Sequence, residues 1–76
     1  MIRYTFVFSE HARRRCIQRN IDTSRLRRQL LSIPYDEEKY TLMRWNIPKT
    51  NLFVVFQDKD FKRVIVTVSF REITNL

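Results

Sequence analysis

The sequence contains no glycine, one cysteine, one histidine and two prolines, so the residue that most freely makes tight turns is missing altogether. Without glycine, the connection Asp58-Lys59-Asp60 between two strand-like segments is expected to form a type I turn rather than a primed turn. A lone cysteine, Cys16, excludes an intrachain disulfide and fits a reducing compartment. One His and one Cys cannot close a zinc site without suitably spaced carboxylates, and the expectation is no metal and no cofactor. Long hydrophobic runs are missing too. Phe6-Val7-Phe8 is far shorter than the apolar core of a secretory signal, and no stretch approaches the length that spans a bilayer. The expectation is a soluble, cytoplasmic protein without membrane contact. With 76 residues there is room for one domain, 1–76, around a thin core.

What the sequence has in excess is positive charge. The formal net charge is +7 and the isoelectric point near 10.3, which suits nucleic acid or acidic lipid. Residues 1–33 carry eight Arg, no Lys and two acids, whereas residues 34–76 are nearly balanced, with seven basic and six acidic residues. The excess is therefore N-terminal and made of guanidinium, whose planar fork matches a phosphate better than an ammonium does. The acidic stretch Asp36-Glu37-Glu38 reads as a solvated loop.

Hydrophobic periodicity organises the chain. Arg3 to Phe8 is aromatic and β-branched and predicts a strand. Ser9 is a candidate N-cap for a helix from about Ser9 to Asn20, with Ala12, Cys16 and Ile17 on its apolar face and Asn20 suited to a left-handed end. Asp22 or Thr23 caps a second helix in which Leu26, Leu30 and Ile33 recur at core spacing, with Pro34 ending it. Lys39 to Trp45 reads as an edge strand and residues 46–51 as a turn. Leu52 to Phe56 is a continuous apolar run, expected of a central strand covered on both faces. In the last strand Val64, Val66, Val68 and Phe70 alternate with Ile65, Thr67, Ser69 and Arg71. The order is strand, two helices, three strands, an α+β fold ending in a three-stranded antiparallel meander.

One constellation could carry chemistry. In Ser9-Glu10-His11-Ala12-Arg13-Arg14-Arg15-Cys16-Ile17-Gln18-Arg19-Asn20-Ile21, His11, Arg15 and Arg19 stand at i, i+4 and i+8, so a helix aligns an imidazole and two guanidinium groups along one side. Such a row suits a phosphodiester: imidazole moves protons near neutral pH, and Arg stabilises charge growing on phosphorus. A single His on a helix is more often a surface side chain than a catalyst, and an Arg run is more often a solvated face. Like charges at i, i+4 repel, however, by roughly 0.2–0.5 kcal/mol until an anion arrives, which favours binding. Arg14, Arg44, Lys62 and Arg63 could widen the basic surface. Thr67, Ser69 and Arg71 share one strand face that could touch a nucleic-acid backbone. Tyr4, Tyr40 and Trp45 could stack bases if exposed, although packing is the commoner role. Cys16, on the apolar face, reads as a buried thiol rather than a nucleophile.

The pattern Ser-x-His-Ala-x-x-Arg-x-x-x-Arg-x-Ile, followed by a second short helix and strands ending near Ile65-Val66-Thr67-Val68, resembles the small toxin-like domains related to BrnT and RelE, which are grouped with the tRNA-cutting colicins. The resemblance covers about Tyr4 to Phe70, and Asn20 stands where that pattern commonly has glycine. It implies a RelE-like fold and a metal-independent endoribonuclease that drives the ribose 2′-hydroxyl onto the adjacent phosphate. It also implies RNA as target, either tRNA or ribosome-bound mRNA, an antitoxin partner, and catalytic roles for His11, Arg15 and Arg19. Two other readings stand beside it. One is a catalytically silent basic module that binds nucleic acid or an acidic host protein, as a phage or mobile-element regulator would. The other is an interaction protein that pairs through an exposed sheet edge.

Overall fold

Side-chain caps start both helices. In the computed structural model, which describes residues 3–37 and 41–70, Ser9 Oγ accepts from the Ala12 amide at 3.0 Å and begins helix α1, Glu10–Gln18. The helix ends in a Schellman motif: Asn20 sits at φ 53°, its amide reaches Ile17 O at 3.3 Å, and the Ile21 amide reaches Cys16 O at 2.9 Å. Asp22 Oδ1 then accepts from the Ser24 and Arg25 amides at 3.0 and 3.4 Å and begins α2, Thr23–Leu30. The second helix closes before Ile33, which packs against the core from the segment that follows, so Pro34 lies beyond its end rather than at it.

The strands are β1 (Thr5–Phe8), β2 (Met43–Asn46), β3 (Leu52–Lys59) and β4 (Lys62–Phe70). They form one mixed sheet in the order β1-β4-β3-β2, with β2 and β4 antiparallel to β3 and β1 parallel to β4. The fold is thus α+β with two helices and a four-stranded sheet, the first strand having joined the other three. Both helices contribute to the core: Ala12 and Cys16 from α1 and Leu26 and Leu30 from α2 pack with Val54, Phe56, Ile65 and Val68 of the sheet. Ile17, expected on the apolar face, is 76% exposed. Because α1 meets the core through the narrow line of Ala12 and Cys16, the next position around the helix falls outside it.

Three further expectations are corrected. β3 is an inner strand, yet its residues alternate between buried and half-buried, because the helices leave the other sheet face uncovered. β4 does not keep one alternation. Val55 pairs with Thr67 and Phe56 with Ile65, so Val66 is an extra residue in a β-bulge, and the inward set is Arg63, Ile65 and Val68. The β3–β4 connection is a two-residue turn, Asp60-Phe61, with φ of 51° and 57°: it has the positive angles of a primed turn despite the lack of glycine.

Candidate nucleic-acid interface

Helix α1, expected to run to Asn20, ends at Gln18, so it carries His11 and Arg15 while Arg19 follows as its C-cap; the segment is fixed to the sheet at both ends. β1 pairs with β4 only from Lys62 to Ile65, which leaves the carbonyls of the second half of that β4 edge to be satisfied otherwise. Ser9 does so at one end, its amide donating to Ile65 O at 3.0 Å and its hydroxyl to Val66 O at 2.8 Å. Arg19 does so at the other. Its Nη1 donates to Val68 O at 2.7 Å, and its guanidinium carbon lies 4.5 Å from the centre of the Phe70 ring. Helix α1 therefore runs along the part of β4 that β1 leaves open. His11 is exposed in the first turn, and Arg15 and Arg19 are half-buried. Helical spacing puts His11 and Arg15 on one side, and Arg19 follows at the C-cap.

Thr67 and Ser69, both half-buried, flank Val68 on β4 and face the sheet surface away from the helices. The structure so brings them to the strand segment that holds Arg19. The remaining candidates are scattered. Arg44 is exposed on β2, in the row Arg44, Val55, Thr67, roughly 10 Å from Thr67 across two strand spacings. Its guanidinium carbon lies 3.9 Å from the Phe53 ring centre, a cation–π contact on the open sheet face. Lys62 is exposed at the opposite end of β4, paired with Lys59 and Thr5. Arg14 is exposed and forms an i, i+4 ion pair with Glu10 at 2.7 Å. Arg71 lies outside the described residues, as does Tyr40. Tyr4 stacks on Tyr35 with ring centres 4.7 Å apart, and the half-buried Trp45 packs against the core, the packing role that the sequence made the commoner one.

Arg63 is removed from the candidate interface altogether. Its side chain is fully buried and all five of its N–H groups are used: Nε and Nη2 donate to Asp58 at 2.8 and 2.9 Å, Nη1 to Leu30 O and Ile33 O at 2.6 and 3.0 Å, and Nη2 to Pro34 O at 3.1 Å. The rings of Tyr4 and Phe56 lie 5.0 and 4.9 Å from its guanidinium carbon. A basic residue beside a hairpin looks like surface; this one neutralises a buried carboxylate and closes the C-terminal end of α2.

The structure also adds cationic residues that the pattern did not single out. A groove of ≈ 640 Å³ opens between the α1–α2 corner and the β2–β3 loop. Arg19, Arg25 and Lys49 line it, with Asp22 the one carboxylate among its described residues. Asn20 and Lys49, both at positive φ (53° and 63°), form parts of its two sides. No local spacing links Arg25 with Lys49, because the groove exists only once the loop has folded against the helices. Cys16 is buried and its thiol is pushed up by that burial. Among the described residues no cluster of three or more His, Cys, Asp or Glu is placed to hold a metal ion, and no helix is long and apolar enough to cross a membrane.

Fold and surface together define a small basic α+β domain whose first helix and its C-cap carry His11, Arg15 and Arg19. Residues 8–70 match the family described as a domain of unknown function, DUF4258, and the chain belongs to it. No curated protein and no solved structure gives a significant match.

Proposed function

We propose that this chain is an RNA-directed domain of the RelE-like toxin type, a metal-independent endoribonuclease that works with the α1 flank. The observation that carries the reading is the double anchoring of α1 on β4, through Ser9 to Val66 O and Arg19 to Val68 O, which fixes the helix bearing His11 and Arg15, and the C-cap bearing Arg19, on a rigid sheet. Two helices followed by the antiparallel strands β2, β3 and β4 agree with the resemblance to that fold.

In this mechanism the backbone phosphate lies along the arginines. The 2′-hydroxyl oxygen attacks the adjacent phosphorus, its proton leaves, the bond to the 5′-oxygen breaks, and a 2′,3′-cyclic phosphate and a 5′-hydroxyl strand result. His11 serves as the general acid or base, and water exchanges the other proton. Arg15 and Arg19 offset the charge that builds on the phosphoryl oxygens. Replacing His11 with Ala is expected to slow RNA cleavage by roughly 10²–10⁴-fold with affinity nearly kept, whereas Arg15→Ala and Arg19→Ala lose rate and affinity together. A 2′-deoxy nucleotide at the cut site blocks cleavage without blocking binding, and chelators leave the rate unchanged. Cleavage that survives in His11→Ala, or that a chelator stops, rules the mechanism out.

A second reading has its own support. The Arg19 guanidinium already serves Val68 O and the Phe70 ring, as a structural strut would. A silent basic module for nucleic acid or an acidic host protein follows if the wild-type protein binds RNA and never cuts it.

A further inference from the structure

The α1 flank does not end at Arg19. That residue is at once the last member of the row and part of the lining of the groove between the α1–α2 corner and the β2–β3 loop, where Arg25 and Lys49 add two more cations. Among the described residues three cations face one carboxylate there, and Asp22 already accepts the Ser24 and Arg25 amides at the start of α2. The floor is apolar, built from Leu26, Ile47 and Leu52, of which Leu26 and Ile47 belong to the buried core. An anion that also carries a flat or apolar body matches a cationic rim over an apolar floor. A nucleotide has both parts: a phosphate for the rim and a sugar and base for the floor.

We infer that this groove is a second subsite for the same RNA strand, holding a nucleotide beyond the phosphate on the His11–Arg15–Arg19 row, with Arg25 and Lys49 on its phosphate. The inference rests on the RNA reading of the α1 flank and extends it. Successive row positions are four residues apart and so rise about 6 Å along the helix. The strand follows this axis from His11 to Arg19 and passes directly into the groove, because Arg19 borders both. Continuity of charge from the row to the groove favours one extended polyanion over a compact small molecule.

The test compares single-stranded oligoribonucleotides of about four and about ten nucleotides, a range typical of single-strand sites, binding to the wild-type protein and to Arg25→Ala/Lys49→Ala. The longer strand is expected to bind the wild type more tightly and with a steeper salt dependence. The double variant, checked for an unchanged thermal transition, is expected to bind the longer strand about tenfold more weakly. Its plot of log affinity against log salt should flatten by about 0.7 for each phosphate that is no longer neutralised. Should the wild type bind neither strand, both the groove and the proposed function fall. If it binds both strands equally, or if the double variant keeps the wild-type affinity and slope, the groove subsite alone is overturned. A labelled peptide of alternating Glu and Leu that binds more tightly than RNA, and fails to bind the same variant, overturns it in favour of an acidic protein segment.

Discussion

Arg63 and Asp58 face each other across the β3–β4 hairpin and meet inside the protein, joined by two nearly parallel N–H···O bonds of 2.8 and 2.9 Å. Neither side chain has any exposure. Asp58 Oδ2 also accepts from the Asp36 amide at 3.0 Å, so the pair ties the hairpin to the segment that leaves α2. The carbonyl of Leu30, the last residue of α2, and those of Ile33 and Pro34 just beyond it take the arginine's remaining N–H groups and place its positive charge at the negative end of the helix dipole.

Breaking this pair strands a buried charge. Arg63→Ala is expected to lose about 3–5 kcal/mol of stability in urea unfolding, with Asp58→Ala similar. Arg63→Lys recovers only part of it, since an ammonium has three donors and no fork. A loss under about 1 kcal/mol with weakened RNA binding would return Arg63 to the surface and refute the burial.

Leu30 and Ile17 make a matched pair of apolar truncations. Leu30 is fully buried and Ile17 is 76% exposed. Leu30→Ala should cost about 2–5 kcal/mol, while Ile17→Ala should stay within about 0.5 kcal/mol of the wild type. Equal losses in chemical denaturation would mean that α1 is rotated from its described phase.

Phe61 holds φ 57° in the hairpin turn while the residue is 63% exposed. A left-handed conformation costs an L-residue about 1–2 kcal/mol, and glycine removes that cost at an entropic penalty of roughly 0.5–1 kcal/mol. Phe61→Gly is therefore expected to raise stability by roughly 0.5–1 kcal/mol, read as a higher melting temperature. A lower melting temperature would show that the exposed ring contributes more than the turn angle costs.

Cys16 should react slowly with a disulfide reagent at pH 8 and at full rate in denaturant, because burial keeps its thiol protonated. The folded pKa is raised above the unfolded one, so the stability this implies is intact below the ordinary thiol range and declines as pH rises through it. Rapid labelling without denaturant would contradict the packing of α1.

The parts of the fold that were legible in the sequence are those set by local chemistry. Ser9, Asp22 and Asn20 announce their roles through the backbone groups within three or so residues of them, and Leu26 and Leu30 through helical spacing. What was illegible depends on distant partners. Arg63 draws its three carbonyl acceptors from residues some thirty positions away, although one signal was present: extending the inward period of Val54 and Phe56 places Asp58 inside and calls for a cation opposite. The Val66 bulge, which breaks the alternation of β4 at the residue whose carbonyl Ser9 binds, leaves no mark in an unbroken run of β-formers. Of the candidate site, the His11–Arg15–Arg19 line follows from spacing alone. Arg25 and Lys49 enter only through the meeting of a corner and a loop.

The anchoring of α1 on β4 also dictates an order of assembly. Ser9 meets Val66 across 57 positions, whereas β3 and β4 are joined by a two-residue turn. Closing the short loop costs far less entropy than closing the long one, so the hairpin can form from local contacts while the first strand and helix must wait for it. Synthesis runs the other way. The arginine-rich segment leaves the ribosome before the strand that will hold Ser9 and Arg19. Until then the most basic part of the chain is an unanchored polycation beside the ribosome's own RNA.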